Sequence, residues 1–144
     1  MKAVSIIIIL TLLLIGHIDA LTKPKAATQI KNNTIETLIM GLNSENLGLQ
    51  SSSAYLIGEL KLSQAIIPLL KILHAEKNEE LRIAAALALY KIGSPIAIYA
   101  VRQSIKFDDS ERVSKLCASF YNEYLKNKFY DEEINVDVSK TALK

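Results

Sequence analysis

Two histidines, one cysteine and 15 carboxylates are the groups in this 144-residue chain that could carry chemistry. Hydrolysis or group transfer needs a nucleophile beside a base, or carboxylates and histidines converging on a pocket. His17 falls in an apolar leader, which leaves His74 as the histidine of the mature chain. It stands at the end of a helical stretch, where a cation beside the last carbonyls is the ordinary role. Cys117 aligns with Ser53 and Ala85 in an internal repeat and reads as a small core residue, not as a thiolate nucleophile. A lone cysteine cannot close an intramolecular disulfide, and no Cys/His cluster has metal-ligand spacing. No glycine-rich loop is available to cradle a phosphate. The expectation is a protein that is not an enzyme and uses no metal and no cofactor.

Two other groups of side chains are candidates for touching a partner. Ile67, Lys71 and His74 align with Tyr99, Gln103 and Lys106 at a shift of 32 residues, and with Arg102 they form a mildly basic stripe on one set of helices. Its plain alternative is a solvated helix face. Phe120, Tyr121 and Tyr124, with Phe129 and Tyr130, are five of the chain's nine aromatics (six Tyr, three Phe). They read as an end cap, with Phe120 and Tyr124 adjacent at i, i+4, or as a secondary contact site. A formal net charge of +2 gives no reason to expect nucleic acid, whose binders concentrate basic charge on one face. The expected partner is an unidentified protein or peptide.

The elements that position these residues follow from the stretch Asn78–Ile105. Asn78 is a good N-cap, Glu79 and Glu80 favour the positive end of a starting helix, and Leu81, Ala85, Ala88 and Leu89 recur at helical spacing. Ile92-Gly93 ends that helix. Ser94-Pro95 starts another, because serine caps free N–H groups and proline at the first position gives up a donor that had no partner. The short turn makes the two antiparallel, with Ala85, Ala86, Ala88, Ala97 and Ala100 allowing close approach. A shift of 32 carries Leu49 onto Leu81 and Val113, Ser53 onto Ala85 and Cys117, and Ile57 onto Leu89 and Tyr121. Upstream, Ile35, Leu38, Ile39 and Leu42 repeat Ile66, Leu69, Leu70 and Leu73. The pattern predicts helices near 34–43, 45–60, 63–74, 79–91, 95–106 and 110–127.

The run Leu81-Arg82-Ile83-Ala84-Ala85-Ala86, then Ala88-Leu89, Ile92-Gly93-Ser94-Pro95 and Ala97-Ile98, resembles the short HEAT-like repeat of phycobilisome lyases and many bacterial HEAT proteins. The copy over Ala54–Leu73 matches it less fully. The period is shorter than the roughly 40 to 47 residues of standard HEAT units and close to that of TPR repeats, but the TPR tryptophan and Leu-Gly are missing. The resemblance implies an all-α fold, a right-handed α-α superhelix of about three repeats, with the stripe from Ile67 to Lys106 on its concave wall. The His-Glu pairs of iron-binding HEAT hydroxylases are absent, since His74-Ala75-Glu76 does not match them.

Ahead of the repeats, Lys2 and the apolar run Ala3–Ile15 look like a secretory signal peptide ending at Ala20. The run is shorter than the roughly 20 residues a spanning helix needs. The expected organisation is a signal peptide over 1–20, a flexible basic lead over 21–33, a HEAT-like repeat domain over 34–128 and a polar tail over 129–144. The mature form is expected to lack a membrane span and to be secreted or periplasmic, as a non-enzymatic binding or scaffolding module. A membrane-anchored adaptor with an uncleaved leader and a lyase-type enzyme are the alternatives.

Overall fold

The computed structural model describes residues 32–141, with side chains through Asp131. The leader and nearly all of the lead lie outside these residues. The described chain is all-α: α1 (Asn32–Leu42), α2 (Leu47–Glu59), a 3-10 turn (Ser63–Ala65), α3 (Ile66–Ala75), α4 (Glu79–Ile92), α5 (Pro95–Phe107) and α6 (Glu111–Thr141). Each helix falls where the repeat pattern puts one. The last runs past the expected end at 127 and takes up most of the expected polar tail, because no glycine or proline interrupts the chain between Glu111 and Thr141.

Caps recur with the sequence period. Asn46, Asn78 and Ser110 open α2, α4 and α6, their side-chain oxygens accepting from the N–H groups of Leu49, Leu81 and Val113 at 3.0, 3.2 and 3.3 Å. One step earlier, side-chain oxygens of Ser44, Glu76 and Asp108 accept from the N–H groups of those same three cap residues. At the other end, α2 and α4 close on residues with positive φ, Lys61 at 50° and Gly93 at 71°. These two positions are also one period apart. The N–H of Lys61 reaches the Gly58 carbonyl and that of Leu62 the Ile57 carbonyl, at 3.1 Å each, the pair of bonds that makes a left-handed C-terminal cap.

The helices form two layers, α2, α4 and α6 in one and α1, α3 and α5 in the other. α4 is central. It packs on α2, α3, α5 and α6, and Leu81, Ala85, Ala86, Ala88 and Leu89 on it are at most 3% exposed. Gly58 lets α2 lie close on α4, since a Cβ there would stand 2.8 Å from the Ala88 Cα. One expectation shifts. The sequence unit joins α4 to α5 as the close hairpin, but among consecutive helices the more extensive pairings are α1 with α2, α3 with α4 and α5 with α6. Side-chain bonds from the first layer to the ends of the preceding second helices hold those pairs together.

Core positions of the first layer lose burial at the ends of the stack. Leu49 is 50% exposed where Leu81 and Val113 are 3% and 0%, because a half repeat is all that precedes it in the described chain. At the far end Tyr121 is half-buried while Ile57 and Leu89 are fully buried.

Two stability outcomes follow. Leu89→Ala should cost about 2 to 5 kcal/mol, read by chemical denaturation, since a three-repeat stack offers little room to collapse around the cavity. Lys61→Gly should gain about 0.5 to 1 kcal/mol by relieving a side-chain-bearing residue held at positive φ; a melting temperature unchanged or lowered would reject that account of the cap.

Candidate functional site

The second-helix layer is the surface on which the sequence-predicted stripe falls. Ile67, Lys71 and His74 on α3, and Tyr99, Arg102 and Lys106 on α5, are exposed, and Gln103 is half-buried. Ile67 and Tyr99 are 68% and 58% exposed, large apolar side chains one repeat apart. Gln103 Nε2 donates to the Tyr99 hydroxyl at 2.6 Å, fixing the ring along α5. His74 and Lys106 stand in the last turns of α3 and α5, beside the negative helix ends.

Two grooves run into this layer, and they are copies of one another. The larger, about 730 Å³, lies between the ends of α3 and α5. The smaller, about 250 Å³, lies between the ends of α1 and α3. Leu42, Gln50, Lys71, Ala75 and Glu76 line the smaller; His74, Arg82, Gln103, Phe107 and Asp108, each 32 residues further on, line the larger. The structure thus brings His74 and Gln103 into one groove and Lys71 into the other. Ile67, Tyr99, Arg102 and Lys106 lie outside both.

Arg82 forms the floor of the larger groove, and sequence reasoning missed it. Its side chain is 8% exposed and that of Asp108 5%. Nε donates to Asp108 Oδ2 at 3.0 Å, and Nη2 donates to Asp108 Oδ1 at 2.8 Å and Asp109 Oδ1 at 3.0 Å. Nη1 donates to the Glu76 and Lys77 carbonyls at 2.9 and 3.2 Å. All five N–H donors of the guanidinium therefore have acceptors. Asp108 beside it raises its pKa, so it stays charged despite burial. The same position is Gln50 in the preceding repeat and Ser114 in the next, which donate to the Leu42 carbonyl at 3.0 Å and the Ile105 carbonyl at 2.5 Å. The available signal was a polar residue in every copy directly after the recurring apolar residue Leu49, Leu81 or Val113.

The first-helix layer carries a second feature of the same period. Glu59 pairs with Lys91, and Glu80 with Arg112, each ion pair spanning 32 residues. The cation at hydrogen-bond distance holds each carboxyl below the usual carboxylate range. Lys91 also lies 5.2 Å from the centre of the Tyr55 ring.

The remaining candidates sit apart from the grooves. Phe120 stacks on Tyr90 of α4 at 5.8 Å, and Tyr121 on Tyr124 at 6.5 Å. Phe120 therefore meets Tyr90 as well as lying one turn from Tyr124, and all three aromatics are half-buried at the end of the stack. Phe129 and Tyr130 are 65% exposed. Cys117 is fully buried, and burial, with Asp108 adding to it, pushes its thiol up to about 11. Among the described residues no group of three or more His, Cys, Asp and Glu is arranged to hold a metal ion.

Removing one member of the Arg82–Asp108 pair leaves a buried charge without its partner. Arg82→Met should cost about 3 to 5 kcal/mol in chemical denaturation, and pairing it with Asp108→Leu should recover part of that loss. Equal destabilisation by the single and double variants would show that the pairing is not what matters at that position.

No curated protein matches the chain at a significant level. A family model for HEAT repeats matches residues 35–119, the span that holds the capped loops, both grooves and the Arg82 cluster. That match covers more than half of the sequence, and the protein belongs to the HEAT-repeat family.

Proposed function

We propose that this protein is a non-enzymatic interaction scaffold, and that its contact surface is the second-helix layer around Ile67, Lys71, Tyr99, Arg102 and Gln103. The observation that carries the reading is the periodic surface itself. A groove and an exposed apolar side chain recur one repeat apart, the arrangement by which a solenoid offers an extended partner several equivalent contacts. Two of the groups able to do chemistry have other roles. Cys117 is sealed in the core, and Asp108 is held by Arg82 and by the N–H of Ser110.

Export belongs to the same proposal and rests on the leader sequence, with cleavage after Ala20 giving a secreted or periplasmic form. Among the described residues no helix is long and apolar enough to cross a membrane.

A photo-crosslinking residue placed at Tyr99 and, separately, at Tyr55 of the first-helix layer tests the surface in the native host. The expected result is a discrete adduct at position 99, lost on Arg102→Ala, with none at position 55. Adducts of equal yield at both positions would discard the second-helix surface. An intact mass beginning at Leu21 in the extracytoplasmic fraction checks the export step, and full-length protein in membranes would overturn it.

A further inference from the structure

The two layers treat their positive charges differently. On α4, Arg82 is paired with Asp108 and Asp109, and Lys91 with Glu59. On α6, Arg112, Lys115 and Lys126 are paired with Glu80, Glu111 and Glu123. The second helices α3 and α5 carry Lys71, Arg102 and Lys106 and contain no aspartate or glutamate. All three cations are exposed, and among the described residues none is in an ion pair. On α1 of the same layer Glu36 is exposed, and further carboxylates lie in the loops at the groove ends. Asp108 is neutralised by Arg82, Glu76 accepts the N–H of Asn78, and Asp109 is 94% exposed with one oxygen on Arg82. The loop carboxylates bound the positive surface along one edge, and the faces of α3 and α5 carry no negative group.

Beside those cations stand Ile67 and Tyr99. Packed helices lie about 8 to 10 Å apart, and an extended polyproline II segment advances about 3.1 Å per residue with about three residues per turn, so two side chains three residues apart on one face of such a segment reach both. Resting on the scaffold reading above, we infer that the second-helix layer receives an acidic extended segment of a partner protein, whose carboxylates meet Lys71, Arg102 and Lys106 while apolar side chains at every third residue cover Ile67 and Tyr99. The acidic character follows from complementarity: a basic segment would face three uncompensated cations, and a neutral one would cover their charge without replacing the water it displaces.

A labelled peptide of four Glu-Glu-Leu units is the probe, compared by fluorescence anisotropy with four Lys-Lys-Leu and four Ser-Ser-Leu units on the protein purified from its own host. The glutamate peptide should bind at least about tenfold more tightly than the other two, and its affinity should fall about tenfold between roughly 50 and 500 mM salt. The variant Lys71→Gln, Arg102→Gln, Lys106→Gln should lose about tenfold or more in affinity at an unchanged melting temperature, because all three side chains are exposed. Arg112→Gln with Lys115→Gln, on the other layer, should bind as the native chain does. Equal binding of the lysine or serine peptide, an unaffected triple variant, or no binding tighter than about 1 mM would overturn the inference. Sedimentation with phosphatidylserine vesicles in preference to the glutamate peptide would overturn it too, assigning the cations to a membrane surface. A serine or lysine peptide whose binding is lost on Tyr99→Ala would end the acidic partner and keep the scaffold. Equal crosslinking at positions 99 and 55 would end the scaffold surface itself.

Discussion

The buried guanidinium of Arg82 is the interaction on which the middle of the stack depends. A charge taken out of water is tolerated only where every donor finds an acceptor, and here five donors meet two carboxylates and two backbone carbonyls. The acceptors come from two different loops. Glu76 and Lys77 follow α3, and Asp108 and Asp109 follow α5, so one side chain on α4 ties the ends of successive second helices at a fixed separation. That separation sets the width of the larger groove. The flanking repeats make the corresponding tie with neutral groups, Gln50 and Ser114, each reaching one carbonyl. Apolar packing closes the layers, and this polar chain sets their register.

A solenoid repeats its surface only if it repeats its loops, and the loop construction shows how that is achieved with different residues. Ser44, Glu76 and Asp108 each hold the N–H of the next cap, and Asn46, Asn78 and Ser110 each hold the first turn of the next helix. Side chains of different length serve because the requirement is a single acceptor oxygen at that point. Lys61 and Gly93 show the opposite limit. There the backbone must take positive φ, no acceptor can substitute for that, and the lysine copy holds a conformation that glycine adopts more readily.

Much of this was legible in the amino-acid sequence because a packed repeat writes its period into its core. Leu81, Ala85, Ala88 and Leu89 recur at helical spacing because they face neighbouring helices, and Asn78, Gly93 and Ser94-Pro95 mark the helix ends by local chemistry that needs no partner. The pairing of helices was less legible. A short turn between α4 and α5 suggests the close hairpin, but turn length fixes direction and not the extent of packing, and of its two chain neighbours α4 packs more extensively on α3, where Arg82 reaches across. Polar positions inside an apolar pattern look like tolerated exceptions in one copy. Only the three together, Gln50, Arg82 and Ser114, reveal a shared role. The far end of α6 was also hard to place, since a polar stretch without helix breakers stays helical without a core to announce it.

Six of the seven residues of the stripe were found by periodicity, with Arg102 added beside them, and periodicity cannot tell a solvated face from a binding face. The structure adds the condition of the neighbours. In the first layer the ion pairs join positions one period apart, Glu59 to Lys91 and Glu80 to Arg112, so charge there links adjacent repeats. Exposed pairs of this kind contribute little stability each, but they leave the cations of that layer partnered within the chain. α3 and α5 carry no carboxylate of their own that could do the same for Lys71, Arg102 and Lys106. Exposed cations without an ion-pair partner among the described residues, placed beside the exposed apolar side chains of Ile67 and Tyr99, are the features on which the proposed contact surface of the second-helix layer rests.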